Sequence, residues 1–188
     1  MKRLFAALKI VPDEYFLSIY YALMHDLKND NIRWVSPENL HLTLKFFGET
    51  HEDKIEVINA VLEKISSSVE PFQMTISKTG IFGSSYKPRV IWFGIDDQNQ
   101  LNELGQMVLE KLNAAGFPID RQNFVPHLTV GRIKHISHKK SFQESVDKYK
   151  AALLQKIRVK EFYLFESILK PTGAEYIPLK KFILNSKI

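Results

Sequence analysis

The tripeptide His-Leu-Thr occurs twice in this chain of 188 residues, at positions 41–43 and 127–129. Each copy follows an apolar segment that begins with an arginine, Arg3 in the first case and Arg89 in the second. Both intervals, from 3 to 41 and from 89 to 127, are 38 positions long. A motif repeated at a fixed distance is typical of a duplicated structural unit. The sequence therefore predicts a fold built from two similar halves.

The apolar pattern predicts the same order of elements in each half. Short or alternating apolar segments predict strands over 3–10, 39–47, 72–82, 89–95, 124–133, 157–165 and 176–184. Helical spacing predicts helices over 12–28 and 98–115, and two more that begin with capping boxes at Thr50 with Asp53 and at Ser141 with Glu144. We expect an α+β protein with one two-lobed domain over 1–188, in which an internal duplication relates roughly 1–86 to 87–188.

Strand geometry places the histidine and threonine of each motif on one face. Successive side chains of a strand point to opposite faces of the sheet. The apolar positions between them then pack in a core, namely Leu42, Leu44, Leu128 and Val130. His41 with Thr43, and His127 with Thr129, share the other face. Two such strands facing each other across a cleft bring two imidazoles and two hydroxyls around one small space.

This set of side chains suits acid–base chemistry on a phosphodiester. Imidazole titrates near neutral pH, so one histidine can take a proton from a nucleophile while the other donates one to the leaving oxygen. Threonine hydroxyls can donate hydrogen bonds to phosphate oxygens without adding charge. The alternative is that both histidines serve only packing or backbone hydrogen bonds. That alternative would account for one His-x-Thr motif, but the matched pair favours a catalytic role.

The composition excludes several other classes of function. The chain has no cysteine, which excludes disulfide scaffolds, thiolate metal sites and cysteine nucleophiles. It contains no apolar segment of the roughly 18 residues that a membrane span needs, and it does not begin like a secretory leader. We therefore expect a cytoplasmic protein that does not enter a membrane, and a monomer is the default expectation for a self-contained two-lobed cleft. The net charge of +5, from 26 basic and 21 acidic residues, is compatible with a polyanionic partner such as RNA.

Longer segments around both motifs resemble a known family. The first segment, 33–49, is RWVSPENLHLTLKFFGE, and the second, 124–132, is FVPHLTVGR. Shorter segments at 3–8, 80–83, 88–92, 164–167 and 176–184 extend the likeness over nearly the whole chain. On these residues the chain resembles the two-histidine phosphoesterase superfamily, specifically its 2′-5′ RNA ligase / RNA 2′,3′-cyclic phosphodiesterase family.

The resemblance implies a bilobal fold in which antiparallel sheets flank a central cleft and helices lie outside. It implies hydrolysis of an RNA 2′,3′-cyclic phosphate to a 2′-phosphate, without a metal or other cofactor, on RNA ends or small nucleotides. His41 would protonate the leaving 3′ oxygen and His127 would activate water, while Thr43 and Thr129 would hold the phosphate. The family name also implies reversible 2′-5′ ligation, in which an RNA 5′-hydroxyl replaces water.

Two basic residues next to the motifs are candidate phosphate ligands. Strand parity puts Lys45 on the face of His41, where its ammonium could neutralise phosphate charge. Arg132 fits the family's second segment but has the wrong parity for the face of His127, unless a bulge at Gly131 redirects it.

Phe46 and Phe47 are candidates for stacking on a nucleobase. Adjacent strand residues point to opposite faces, so one ring could stack on a base while at least one lies in the core.

Three other functions remain open from the sequence. The substrate could be another small cyclic or 2′-5′-linked nucleotide, or the fold could serve as an RNA-binding module without relevant turnover. A metal-binding protein would use His135 and His138, but nearby carboxylates are lacking there. The basic loop 134–140 that contains these histidines could guide an RNA backbone or could be an ordinary solvated loop.

Overall fold

The computed structural model describes residues 1–84, 87–96, 98–119, 124–171 and 173–185. Two 3₁₀ helices, Pro37–Asn39 and Glu52–Lys54, occur in this part of the chain. None of its helices is both long and apolar enough to cross a membrane. The strands and α-helices of the described residues are β1 (Lys2–Lys9), α1 (Glu14–Asp26), β2 (Asn31–Trp34), β3 (His41–Thr50), α2 (Ile55–Ser66), β4 (Phe72–Ser84), β5 (Lys87–Asp96), α3 (Asn99–Ala114), β6 (Leu128–His135), α4 (Lys139–Asp147), β7 (Leu153–Val159), β8 (Glu161–Lys170) and β9 (Gly173–Ile183).

The strands form two antiparallel sheets, and each sheet takes strands from both halves of the sequence. One sheet has the order β3-β1-β8-β9 and the other β2-β6-β5-β4-β7. In the first sheet the pair β1–β3 is extended by β8, and in the second the pair β5–β6 is extended by β4. The two halves therefore exchange strands. The predicted α+β architecture with two antiparallel sheets is confirmed.

A hydrophobic core joins the sheets to the helices. The apolar faces of two helices, α2 and α3, are fully buried at Ile58, Leu62, Ile65, Leu101, Leu104, Val108 and Leu112. The apolar positions of the two motifs are at most 2% exposed, at Leu42, Leu44, Leu128 and Val130. The core therefore takes one face of β3 and β6, and it leaves the other face for the histidines.

Several element ends differ from the predictions. The strand β2 was not predicted, because four residues are too few to give a periodic signal. The segment predicted as one strand over 157–165 belongs to two strands, β7 and β8, which are separated at Lys160. The strand predicted from Phe124 begins only at Leu128.

Both predicted capping boxes are wrong. Thr50 ends β3, and its hydroxyl donates a hydrogen bond to the Gly48 carbonyl oxygen at 3.1 Å. The helix α2 begins only at Ile55. The helix α4 begins at Lys139, before Ser141, so Ser141 lies inside the helix and cannot cap it.

β3 and β6 each contain an irregularity directly after the threonine of the motif. In β3 the register against β1 shifts between Thr43 and Lys45, and in β6 the register against β5 shifts between Thr129 and Gly131. The shifts leave Leu44 of β3 and Val130 of β6 without a partner across these ladders, which is the pattern of a β-bulge. Side chains beyond the bulge therefore change face relative to simple alternation.

Candidate active site

A cleft of about 1130 Å³ opens on the face of β3 that is turned away from the core. Its lining comes from both sheets, which agrees with the central cleft that the resemblance implied, and it includes His41 and Thr43 but not His127 and Thr129. Among the residues that line it are Arg3, Phe5, Lys9, Arg33, Glu38, His41, Thr43, Phe46, Arg132, Glu175 and Tyr176.

The two motif histidines are held in the same way. The Nδ1 atom of His41 lies 2.7 Å from the Asn39 carbonyl oxygen, and Nδ1 of His127 lies 2.7 Å from the Val125 carbonyl oxygen. A carbonyl oxygen can only accept, so each Nδ1 carries a hydrogen and donates it. In each neutral ring Nε2 is therefore the free base, and in each charged ring Nε2–H is the available acid.

Aromatic side chains pack against both imidazoles. Phe5 and Tyr176 each have their ring centroid 4.9 Å from that of His41. The ring of Phe82 lies edge-on to His127, with the centroids 4.7 Å apart. These walls restrict rotation of each imidazole about its side-chain bonds, and they add to the restraint from the Nδ1 hydrogen bond.

The surroundings of His41 hold its pKa below the ordinary value of 6.5. Burial is the largest cause, because a buried imidazole loses the hydration of its charged form. The hydrogen bond to the Asn39 carbonyl opposes the shift, while the positive charges of Arg132 and His127 add to it. Arg132 lines the same cleft as His41, although it belongs to β6 of the other sheet.

The two threonines share the faces of their histidines. Thr43 is exposed in the cleft wall, and its neighbours Leu42 and Leu44 are buried on the other face. Thr129 is half-buried and pairs with Trp92 of β5. The hydroxyl of Thr43 is therefore accessible from the cleft.

Arg132 lines the cleft in spite of its parity. The bulge that redirects it leaves Val130 unpaired, one residue before the predicted position at Gly131. Beyond Thr129 each side chain therefore points to the face opposite to the one that simple alternation predicts. Arg132 is exposed and lines the same cleft as His41.

The parity prediction for Lys45 is wrong. The corresponding bulge in β3 turns Lys45 away from the cleft, so that only 5% of the residue is exposed. Its ammonium donates a hydrogen bond to the Pro118 carbonyl oxygen at 2.7 Å. Lys45 therefore connects β3 to the segment after α3, and it is not among the residues that line the cleft.

Phe46 and Phe47 follow the same bulge and point to opposite faces of β3. Phe46 is 40% exposed in the cleft, and the Arg3 guanidinium lies over its ring at 4.8 Å from the centroid. Phe47 packs edge-on against Phe117 with the centroids 5.6 Å apart, beside the core. Phe46 is therefore the ring that is available for stacking.

Sequence analysis did not predict Arg3, Arg33 and Tyr176 as site residues, but they also line the cleft. Alternation along β1 was a usable signal for Arg3, because it shares a face with Phe5 and Lys9. Arg33 belongs to the unpredicted strand β2. Tyr176 had no usable signal, since only the sheet order brings β9 toward the cleft.

The remaining histidines form no metal site. Among the described residues, no three histidine or carboxylate side chains are grouped so that they could hold a metal ion. His135 and His138, which the metal alternative required, are both exposed.

Residues 22–168 match the family described as the 2′-5′ RNA ligase superfamily. Curated proteins named RNA 2′,3′-cyclic phosphodiesterase are similar over most of their length. One from Methanocaldococcus jannaschii is 37% identical and covers 82% of this chain and 86% of its own. One from Aquifex aeolicus is 35% identical, with 81% and 82% covered.

Solved structures share the fold. A protein of Thermus thermophilus superimposes with a TM-score of 0.80 at 26% identity, over 99% of this chain and all of its own. The protein LigT of E. coli, solved as a complex with 3′-AMP, gives a TM-score of 0.73 at 25% identity, over 98% and 99% of the two chains.

Proposed function

Because the chain belongs to the 2′-5′ RNA ligase superfamily, we propose that it hydrolyses the 2′,3′-cyclic phosphate at the end of an RNA strand. The product carries a 2′-phosphate and a free 3′-hydroxyl. Curated relatives of 33–37% identity over about four fifths of the chain bear the name of this enzyme activity. The chemistry of the cleft is consistent with that activity.

The observation that carries the proposal is the matched restraint of the two imidazoles. His41 and His127 each donate from Nδ1 to the carbonyl of the residue two positions earlier, at 2.7 Å in both cases. Both therefore keep Nε2 for proton transfer. A packing role alone would not require the same tautomer at two sites from different halves of the chain.

One histidine removes a proton and the other supplies one. His127 Nε2 takes a proton from water, and the water oxygen attacks phosphorus. The bond from phosphorus to the 3′ oxygen breaks, and His41 Nε2–H gives its proton to that oxygen. One P–O bond forms and one breaks. His127 has gained a proton and His41 has lost one, and exchange with solvent restores both before the next turnover.

Substrate binding would favour protonation of His41, which acts as the acid. In the free enzyme the pKa of His41 lies below 6.5, because of burial first and then the neighbouring positive charges. An anionic cyclic phosphate next to His41 would offset the charge of Arg132 and favour protonation of the imidazole. The acid would therefore gain its proton together with the substrate.

Neutral donors and one guanidinium would hold the phosphate. Thr43 and Thr129 can donate to its non-bridging oxygens, and Arg132 can form two parallel hydrogen bonds while it balances the negative charge. This set stabilises the transition state without a metal ion. We therefore propose that the reaction is metal-independent.

The same steps run with an RNA 5′-hydroxyl in place of water. Attack of that hydroxyl on the cyclic phosphate, with loss of the 3′ oxygen, yields a 2′-5′ linkage. The reverse reaction cleaves that linkage, so ligation is reversible. The description of the matched family supports this second reaction.

The test uses an oligoribonucleotide that ends in a 2′,3′-cyclic phosphate, incubated with the protein and excess chelator. We expect a 2′-phosphate product, and a loss of at least about 10²-fold in turnover in His41→Ala and in His127→Ala. The position of the product phosphate is mapped by ³¹P NMR.

The matched control is His51→Ala, because His51 is exposed and belongs to neither motif. It should retain full activity. Near-normal turnover in either motif variant would contradict the acid–base pair. Loss of activity on chelation would instead indicate a metal enzyme.

A further inference from the structure

A second groove opens at the junction of the two sheets, with a volume of about 450 Å³. It lies between the end of β1 and the edge strand β7, and we call it the basic groove because Lys156, Arg158 and Lys160 line it. Lys9 lines both the basic groove and the catalytic cleft. The two cavities are therefore adjacent and share one cationic side chain.

The cations of the basic groove are not neutralised. Within the described residues, neither Lys9 nor the three groove cations form an ion pair with a carboxylate, whereas several other surface lysines do. Glu161 also lines the groove, but it accepts a hydrogen bond from the Tyr163 hydroxyl and pairs with Lys181 at 3.6 Å. The basic groove is therefore a site for negative charge.

The catalytic cleft is lined by charges of both signs. Its lining includes Arg3, Arg33 and Arg132 as well as Glu38 and Glu175, and Glu175 forms an ion pair with Lys170. The cations of the basic groove have no carboxylate partner in the part of the chain that the structure describes, so a polyanion that extends from the histidines gains favourable charge interactions there.

A terminal cyclic phosphate fixes the direction of the strand. It stands at the 3′ end of RNA, so the rest of the strand leaves the histidines on one side only. Lys9 is the direct partner of His41 across β1 and β3. The side chain that joins the cleft to the basic groove is therefore next to the reacting phosphate.

We propose that the RNA strand 5′ of the terminal cyclic phosphate passes Lys9 and lies along the basic groove, where Lys156, Arg158 and Lys160 bind its backbone phosphates. The preferred substrate is then a single-stranded oligoribonucleotide end, and not a mononucleotide. This inference rests on the proposed function, since it requires the cyclic phosphate to bind at the two histidines.

The test compares two substrates with the full-length protein. One is adenosine 2′,3′-cyclic phosphate, and the other is an eight-nucleotide RNA that ends in a 2′,3′-cyclic phosphate. The variant Lys156→Gln/Arg158→Gln/Lys160→Gln removes the cations of the basic groove. The matched control Lys54→Gln/Lys64→Gln/Lys111→Gln removes the same net charge from exposed positions at α2 and α3.

We expect the groove variant to raise KM for the eight-nucleotide RNA about 10-fold, because three phosphate contacts of roughly twofold each are lost. The slope of log KM against log salt concentration should fall by about 2, since each contact with a single strand contributes about 0.7. Kinetics on the mononucleotide should not change, which also shows that the variant is folded. Lys156→Arg/Arg158→Lys/Lys160→Arg should behave like the unmodified protein.

Three results would overturn the inference. They are equal kcat/KM for both substrates in the unmodified protein, equal losses on both substrates in the groove variant, and equal losses in the groove variant and the matched control. If the unmodified protein turned over neither substrate, the proposed function would fail instead. The inference would then be judged by fluorescence anisotropy with the eight-nucleotide RNA, where unchanged affinity in the groove variant would overturn it.

Discussion

Replacing Phe5 by leucine tests whether the ring of Phe5 positions His41 for catalysis in addition to stabilising the fold. Phe5 is 3% exposed, and its ring contacts three others, those of His41, Phe165 and Tyr176, at centroid distances of 4.9, 5.2 and 5.0 Å. Leucine keeps an apolar side chain at this position but removes the flat wall beside the imidazole. His41 then retains its Nδ1 hydrogen bond but gains rotational freedom.

The expected loss of stability follows from these contacts. The smaller side chain loses about 0.5 kcal/mol for roughly 20 Å³ of volume, at about 24 cal/mol per Å³. Each aromatic contact contributes about 0.5–1.5 kcal/mol, and the three contacts share one ring, so their contributions do not add fully. We expect the free energy of unfolding to fall by about 2–3 kcal/mol in urea titration. Turnover of a 2′,3′-cyclic nucleotide should fall about 10-fold in kcat, because the acid is no longer held in place.

Phe162→Leu is the control for this substitution. Phe162 belongs to β8 and is fully buried in the core, where its ring stacks on Phe182 at 5.1 Å. That variant should also lose stability, by about 1–2 kcal/mol, but it should keep its kcat. A normal kcat in Phe5→Leu, or the same loss of kcat in both variants, would refute the view that the ring of Phe5 positions His41.

Three further predictions concern His41 and the close packing of Gly80 against Trp92. Since the pKa of His41 is lowered by folding, the unfolded chain binds more protons at this site, and stability should be complete above pH 6.5 and decline as the pH falls toward the folded value. Urea unfolding at pH 7.5 and 5.5 should show this decline, and His41→Gln should reduce it. Arg132→Gln should raise the pKa of His41 in an NMR titration, and an unchanged or lower midpoint would contradict their proximity. In Gly80→Ala the new Cβ would overlap the Trp92 ring, so the variant should lose about 1–3 kcal/mol of stability. Adding Trp92→Leu should relieve part of this loss, and simply additive losses in the double variant would contradict the overlap.

Much of the site follows from local sequence. The motif copies at 41–43 and 127–129 identify the histidines, and alternation correctly assigns their apolar neighbours to the core. Alternation depends only on the backbone of one strand, so a short segment contains all the information that it needs. The apolar pattern also gives the correct order of most elements.

The faces of Lys45 and Arg132 could not be obtained in this way. Both lie beyond a bulge, and a bulge is a property of the pairing between two strands. Phe46 and Arg132 stand five positions after their histidines, and both enter the cleft because the two bulges occur at the same place in the motif. Strand pairing therefore decides which residues beyond the bulges line the cleft, whereas the local sequence is enough to identify the two histidines.

The exchange of strands makes each histidine depend on the other half of the chain. His127 lies in the second half, but the ring that packs against it, Phe82, comes from β4 of the first half. His41 lies in the first half, and Tyr176 from β9 of the second half packs against it. Neither half, with its own strands alone, can therefore hold its own imidazole as the whole chain does. If the predicted duplication of 1–86 and 87–188 took place, the acid and the base acquired their present restraint only once both copies were joined, which explains why one domain carries both motifs.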